Sequence, residues 1–186
     1  MKSEFDFIED IRKSFPAPPE GVTGIGDDCA VIPQNDGRET LVSTDMLVEG
    51  THFLLEDILP YRLGWKAAAS NFSDIAAMGG APVGSFLALA LPSGLPEGWE
   101  DAFLSGYRDI SRLFGFPLLG GDTTSSPDRL CICVTVLGET LCGRSIRRSG
   151  AWVGDLVCVT GTLGDAAAGL DVILKDIERT DETAVL

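Results

Sequence analysis

Phe5, Ile8, Ile11 and Phe15 recur at helical spacing between Ser3 and Phe15, and Pro16-Ala17-Pro18-Pro19 ends the helix they predict. Apolar runs at Cys29–Pro33 and Thr40–Thr44 predict two short strands, joined through the turn signal Asn35-Asp36-Gly37. Tyr61–Met78 is an Ala-rich helix closed by Gly79-Gly80 and Pro82. Val83–Leu91 is almost continuously apolar, the pattern of a strand buried on both faces. Glu97–Phe114 follows as an amphipathic helix, and Pro117–Leu119 as a short strand running into Gly120-Gly121-Asp122. Leu130–Gly138 is a longer strand; Leu156–Thr160 and Gly164–Ile177 add one more strand and one more helix. Strands and helices mixed without a strict βαβ repeat predict an α+β fold.

The organisation changes near residue 143. Residues 1–142 suffice for one domain, whereas 143–186 supply one strand, one helix and a polar tail, too little to bury a core. The expected division is therefore a domain over 1–142 and the opening of a second, truncated one over 143–186. Of the 186 residues, 45% are hydrophobic and 23% charged, an ordinary globular balance. Fourteen Lys and Arg against 28 Asp and Glu leave a formal charge of −14. Such a surface repels phosphate backbones and anionic lipid, so no nucleic acid and no membrane is expected as partner. Ala81–Leu91, interrupted by Pro82, Gly84 and Ser85, is about half a membrane span. The mixed-charge N-terminus does not read as a secretory signal.

The cysteines (Cys29, Cys131, Cys133, Cys142 and Cys158) are odd in number, with no C-x-x-C pair, which argues against zinc knuckles and redox pairs. Cys131 and Cys133 are expected on one face of a strand as small buried hydrophobes, and a reducing cytoplasm fits best. With His52 as the sole histidine, a Ser-His-Asp or Cys-His site has little support. Phosphate motifs fail too. No G-x-x-x-x-G-K-[ST] occurs, and Gly21–Gly26 runs G-x-x-G-x-G before a strand, unlike a dinucleotide fingerprint.

The positive signal is a set of aspartates in apolar or small-residue settings. Asp27-Asp28 leads into an apolar strand, and Asp45 follows Ser43-Thr44 at a strand end. Asp74 shares a helix face with Ser70 and Asn71, and Asp122 follows Gly120-Gly121. A carboxylate in such a setting is costly unless it is bonded, paired or metal-bound. Dispersed single aspartates suit magnesium, which binds through one or two carboxylates with phosphates and waters. Each also has an ordinary alternative: a turn for Asp27-Asp28, a turn cap for Asp122, an exposed helix position for Asp74. Spacing alone does not say that the four places meet.

Taken together, several ordered segments resemble the thiamine-monophosphate kinases of the aminoimidazole-ribonucleotide synthetase superfamily. They are Gly24-Ile-Gly-Asp-Asp-Cys-Ala30, Ser43-Thr-Asp45, Leu47-Val-Glu-Gly-Thr-His-Phe53, Asn71-Phe-Ser-Asp-Ile-Ala-Ala-Met-Gly79, Gly120-Gly-Asp-Thr-Thr124, Arg148-Ser-Gly-Ala151 and Val159-Thr-Gly-Thr-Leu-Gly-Asp165. The resemblance implies metal positions at Asp28, Ser43, Thr44, Asp45, Asp74 and Asp122. It implies ATP contacts at Tyr107, Gly121, Asp122 and Arg148, and a thiamine monophosphate contact at His52. Tyr107 has a core aromatic as its alternative, and Arg148, beside Arg144 and Arg147, a solvated basic patch. The implied fold packs helices on one face of a mixed sheet and pairs that sheet with a second subunit's in a barrel-like homodimer interface. The implied reaction is direct, magnesium-assisted transfer of the ATP γ-phosphoryl group to thiamine monophosphate, with no catalytic side chain acting as base. The alternatives are a non-catalytic nucleotide-binding and dimerisation module, or a sister ATP-dependent synthetase of the superfamily.

Overall fold

The computed structural model describes residues 2–175. Contacts divide the chain into two compact units between Arg148 and Ser149, so residues 143–148 pack with the first unit.

The first unit opens with α1 (Glu4–Ser14), capped by Ser3, whose hydroxyl accepts the Asp6 N–H at 3.2 Å. Its apolar residues are not used internally: Phe5, Phe7 and Phe15 are exposed, and the helix buries none of its side chains. There follow β1 (Ala30–Pro33), β2 (Arg38–Val48), α2 (Pro60–Ala77), β3 (Ala81–Pro92), α3 (Trp99–Phe114), β4 (Leu118–Ser126) and β5 (Cys131–Leu141). The strands form one mixed sheet in the order β1-β2-β5-β3-β4. Every ladder is antiparallel except β3–β4, whose parallel pairing requires the crossover that α3 provides.

One face of the sheet, the inner face, presents Leu41, Leu87, Ile132, Val134 and Val136, all buried, to α2. Helix α2 answers with Leu63, Ala67, Ala68, Phe72 and Ile75 at helical spacing, and α3 packs beside it through Phe103, Tyr107 and Ile110. Phe72 stacks on Phe116 with ring centroids 3.6 Å apart. Each large apolar side chain so buried stabilises the fold by about 1.5–3 kcal/mol. The two helices approach to backbone contact: a Cβ at Gly64 would overlap the Phe103 carbonyl, and one at Gly106 the Tyr61 carbonyl.

On the opposite, outer face none of the described helices of the first unit packs. Met46 is 56% exposed, Phe86 41% and Leu119 49%. Strand β3 is therefore buried on one face, not on both as its continuous apolar run suggested. The cysteine expectation is corrected in the same way. Cys131 and Cys133 do share a face, but it is the outer one, half-buried, while the intervening Ile132 and Val134 take the core. Strands β2 and β4 are longer than expected because polar residues extend them, and Asp45 and Asp122 sit inside strands rather than at their ends.

In the second unit the described residues form α4 (Asp165–Leu174). The expected strand over Leu156–Thr160 is absent: no described residue pairs with it, and Leu156, Val157 and Val159 are exposed. A strand without a partner ladder has nothing to hold it. The last two residues of the expected helix, Asp176 and Ile177, lie outside the described residues.

Candidate metal and nucleotide site

Three elements bring acidic groups to one end of α2. Asp28 precedes β1, and the Asp27 carboxylate beside it accepts the Asp28 N–H at 3.2 Å. Ser43 stands on the inner face of β2, in register with Val136, and its hydroxyl donates to Asp74 Oδ2 on α2 at 2.7 Å. Asp45, two residues along β2, lies on the same face but is exposed. Burial, above all, raises the Asp74 pKa; the Asp45 and Asp28 carboxylates raise it further, against the Ser43 hydrogen bond and the Arg148 charge. The Cys29 thiol beside them is pushed up to about 12, chiefly by burial and then by Asp74, Asp28 and Asp27, so it stays protonated and unreactive.

Arg148 comes from more than a hundred residues away in sequence. Its Nε and Nη2 both donate to Asp28 Oδ1, at 3.1 and 2.5 Å, and its backbone N–H donates to Asp27 Oδ1 at 3.2 Å. The segment that carries it is tied down behind. The buried Glu39 carboxylate accepts the Gly143 N–H at 3.1 Å, and the Met78 carbonyl at the end of α2 accepts the Ile146 N–H at 3.0 Å.

The remaining candidates lie elsewhere. Thr44 points to the outer face, where its hydroxyl is 3.0 Å from that of Thr135 and also donates to the Val134 carbonyl. Asp122 is on the outer face as well. It pairs with Ala88, which pairs with Cys133, which pairs with Met46, so three ladder steps, about 14 Å, separate Asp122 from β2. The structure therefore does not bring Asp122 to Asp28, Asp45 and Asp74 within one chain. Gly121 backs so closely on Leu87 that a Cβ would overlap its backbone. Tyr107 is in the core: it is 2% exposed, and its hydroxyl donates to Ser85 Oγ at 2.9 Å. His52 is exposed in the loop after β2. Its Nδ1 accepts the Val48 N–H at 3.0 Å, which places the neutral ring's proton on Nε2, where it can donate to an anion.

Sequence reasoning missed two supporting residues, Lys66 and Glu39, and the contact that Asp27 makes with Arg148. Lys66 Nζ donates to the His52 carbonyl at 2.7 Å, Asp27 holds the Arg148 backbone, and Glu39 anchors Gly143. A lone lysine on an Ala-rich helix was a readable signal for the first; Glu39 looked like an ordinary strand residue. A cavity of about 600 Å³ is lined by Leu54, Glu56, Trp99, Asp128 and Arg129 among others, and none of the candidate site residues lines it.

Among the described residues no three Asp, Glu, His or Cys side chains converge as a ready-made metal cage. Magnesium does not need one when phosphate oxygens and water complete its octahedron. Two carboxylates, Asp28 and Asp74, near enough that the first raises the second's cost of ionisation, with the Ser43 hydroxyl on Asp74, are a hard-oxygen donor set that fits such an ion.

Residues 26–140 match the model for "AIR synthase related protein, N-terminal domain", and the chain belongs to that family. Within it, the chain is similar to thiamine-monophosphate kinases. It is 40% identical to that of Bacillus subtilis over 93% of its own length and 53% of the relative's, and 43% identical to that of Escherichia coli K12 over 85% and 47%. A solved structure described as AaThiL complexed with AMPPCP and TMP is 34% identical, with a TM-score of 0.86 over 97% of this chain and 57% of that one. The chain thus spans about half the length of the relatives it matches. The hydrogenase maturation protein HypE, at 19% identity and a TM-score of 0.62, shares the fold alone.

Proposed function

We propose that this chain forms the metal- and nucleotide-binding half of an ATP-dependent kinase that converts thiamine monophosphate to thiamine diphosphate. The observation that carries the chemistry is the meeting of Asp28, Asp74, Ser43 and Arg148, a hard-cation site beside a guanidinium. The acceptor follows from the thiamine-monophosphate kinases it resembles. Asp28, Ser43, Asp45 and Asp74 on the inner side, with Thr44 and Asp122 on the outer, are the proposed magnesium positions. Arg148, Gly121 and Asp122 are the proposed ATP positions, while Tyr107, buried with its hydroxyl on Ser85, supports them only from the core. When bound, magnesium would neutralise charge between the two phosphoryl groups.

The chain's own residues then orient the reactants. The planar Arg148 fork suits a bidentate phosphate contact. His52 Nε2–H offers a donor to the acceptor phosphate, held in that tautomer by the Val48 N–H and with its carbonyl pinned by Lys66. A phosphomonoester has its second pKa near 6, so the acceptor is largely ionised at neutral pH and no side chain has to remove a proton.

A homodimer through the outer sheet face belongs to the same reading, supported by exposed Met46, Phe86 and Leu119. Two-fold pairing that sets each copy's β4 edge against the other's β1–β2 edge would carry Asp122 of one copy to Thr44 on the outer face of its partner's β2, the strand that also holds Asp45 on its inner face. Among the described residues no helix is long and apolar enough to cross a membrane, and all five cysteines are free, which supports a reducing cytoplasmic setting. The test is thiamine diphosphate formation from ATP and thiamine monophosphate by the whole protein, with magnesium and after chelation. Magnesium-dependent product is expected; magnesium-saturated protein that makes none overturns the reading.

A further inference from the structure

Arg148 is, among the described residues, the one cationic side chain bonded to any of Asp28, Asp45 or Asp74. Both of its donors converge on a single oxygen, Asp28 Oδ1, rather than spanning the carboxylate. The pair is also accessible, with the Arg148 side chain 61% exposed and that of Asp28 26%. Behind it the backbone is fixed by Asp27, Glu39 and the Met78 carbonyl, so the guanidinium can swing while its Cα stays in place. Building on the metal–nucleotide reading above, we propose that Arg148 is a stand-in cation. It holds Asp28 in the free protein, a divalent ion must displace it, and the displaced guanidinium then takes a phosphate of the incoming nucleotide.

The argument is one of charge and donor count. A magnesium ion at Asp28 competes for the oxygen Arg148 uses and repels the guanidinium that remains nearby. Metal alone therefore binds against Arg148. Metal arriving with nucleotide binds with its help, because the fork exchanges one carboxylate oxygen for two phosphate oxygens and loses no hydrogen bonds. The residue's effect must change sign between the two ligands. A simple nucleotide contact would leave metal affinity untouched, and a structural role would weaken both together.

The experiment compares wild-type protein with Arg148→Gln and Arg148→Lys, titrated with Mg²⁺ by calorimetry and with Mn²⁺ by electron paramagnetic resonance. Each is measured with and without a non-hydrolysable ATP analogue. Arg148→Gln is expected to bind the metal alone roughly two- to fivefold tighter, the scale of an exposed ion pair removed. It should bind the metal–analogue complex about tenfold or more weakly, the scale of lost charged hydrogen bonds. Arg148→Lys, a charge without the fork, should keep weak metal binding and still lose analogue affinity. Metal affinity that is unchanged or lower in Arg148→Gln, with wild type binding the metal–analogue complex, overturns the exchange alone. Wild type that binds neither metal nor complex overturns the site reading, and the exchange with it.

Discussion

At the scale of single residues, Asp74, one of the proposed metal positions, carries a stability penalty as an ionised carboxylate. Its carboxyl has a raised pKa, first from burial and then from Asp45 and Asp28. A carboxyl whose folded pKa is raised is harder to ionise in the folded protein than in the unfolded chain. Stability is thus greatest below the unfolded pKa and falls as pH rises through the window between the unfolded and folded values. Asp74→Asn removes that penalty and keeps an acceptor for the Ser43 hydroxyl. The variant should be at least as stable as wild type at pH 7 without metal, and the difference should shrink as pH falls through the acid range. Thermal melts over pH 3–8 check this, with calorimetry as the second arm: the same variant should lose magnesium-dependent nucleotide binding and thiamine diphosphate formation. A clear loss of stability at pH 7 would mean that the Asp74 charge is compensated by groups other than those named. Tyr107 separates a core role from a ligand role in the same manner. Tyr107→Phe leaves Ser85 Oγ without its donor and should cost about 1 kcal/mol in urea unfolding, whatever it does to ATP affinity.

Among the elements, α2 matters most, because it both covers the sheet and carries Asp74. Its placement depends on close approach to α3 at Gly64 and Gly106, where added carbon would meet backbone rather than a movable side chain. Gly106→Ala should therefore destabilise by about 3 kcal/mol or more in urea unfolding, at the upper end of overpacking effects, although alanine is the better helix former. An unchanged midpoint would show that the helices can separate without penalty. The helices and the apolar strands were legible in the sequence because a 3.6-residue period and β-rich runs need only local information: α2, α3, β3 and β5 fall within a few residues of their expected places. What was illegible had a non-local cause. Strand β4 is a polar edge, Gly120 to Ser126, so it carries no apolar alternation. Which side of β3 and β5 is covered depends on where α2 lies, and this exchanged the expected roles of Cys131 and Ile132. The aspartates stood out in the sequence by their apolar and small-residue settings. Their grouping was not readable, because the Asp28–Arg148 contact spans 120 residues and because Thr44 and Asp122 fall on the opposite sheet face from Ser43 and Asp74.

For the molecule as a whole, that split is the strongest reason to expect two copies. One chain leaves Asp122 about three strand spacings from β2, and it leaves the intervening outer face apolar and open at Met46, Phe86 and Leu119. Both facts are resolved by one arrangement, in which two outer faces close on each other and each β4 reaches the other copy's β2. Phe86→Lys places a charge in that closure while touching none of the proposed metal positions. It should shift the protein from dimer to monomer in light scattering and weaken magnesium-dependent nucleotide binding with it. A sharper consequence concerns which copy supplies Asp122. Asp45→Asn and Asp122→Asn should each be inactive as pure homodimers. When the two are unfolded and refolded together, random pairing makes half of the dimers mixed, and each mixed dimer contains one site with neither substitution. About a quarter of wild-type activity should then return. If Asp45 and Asp122 act within the same chain, every site in the mixture keeps one substitution and no activity returns, although light scattering still reports dimers. Recovery in the mixture thus reports shared sites, and light scattering reports dimerisation separately.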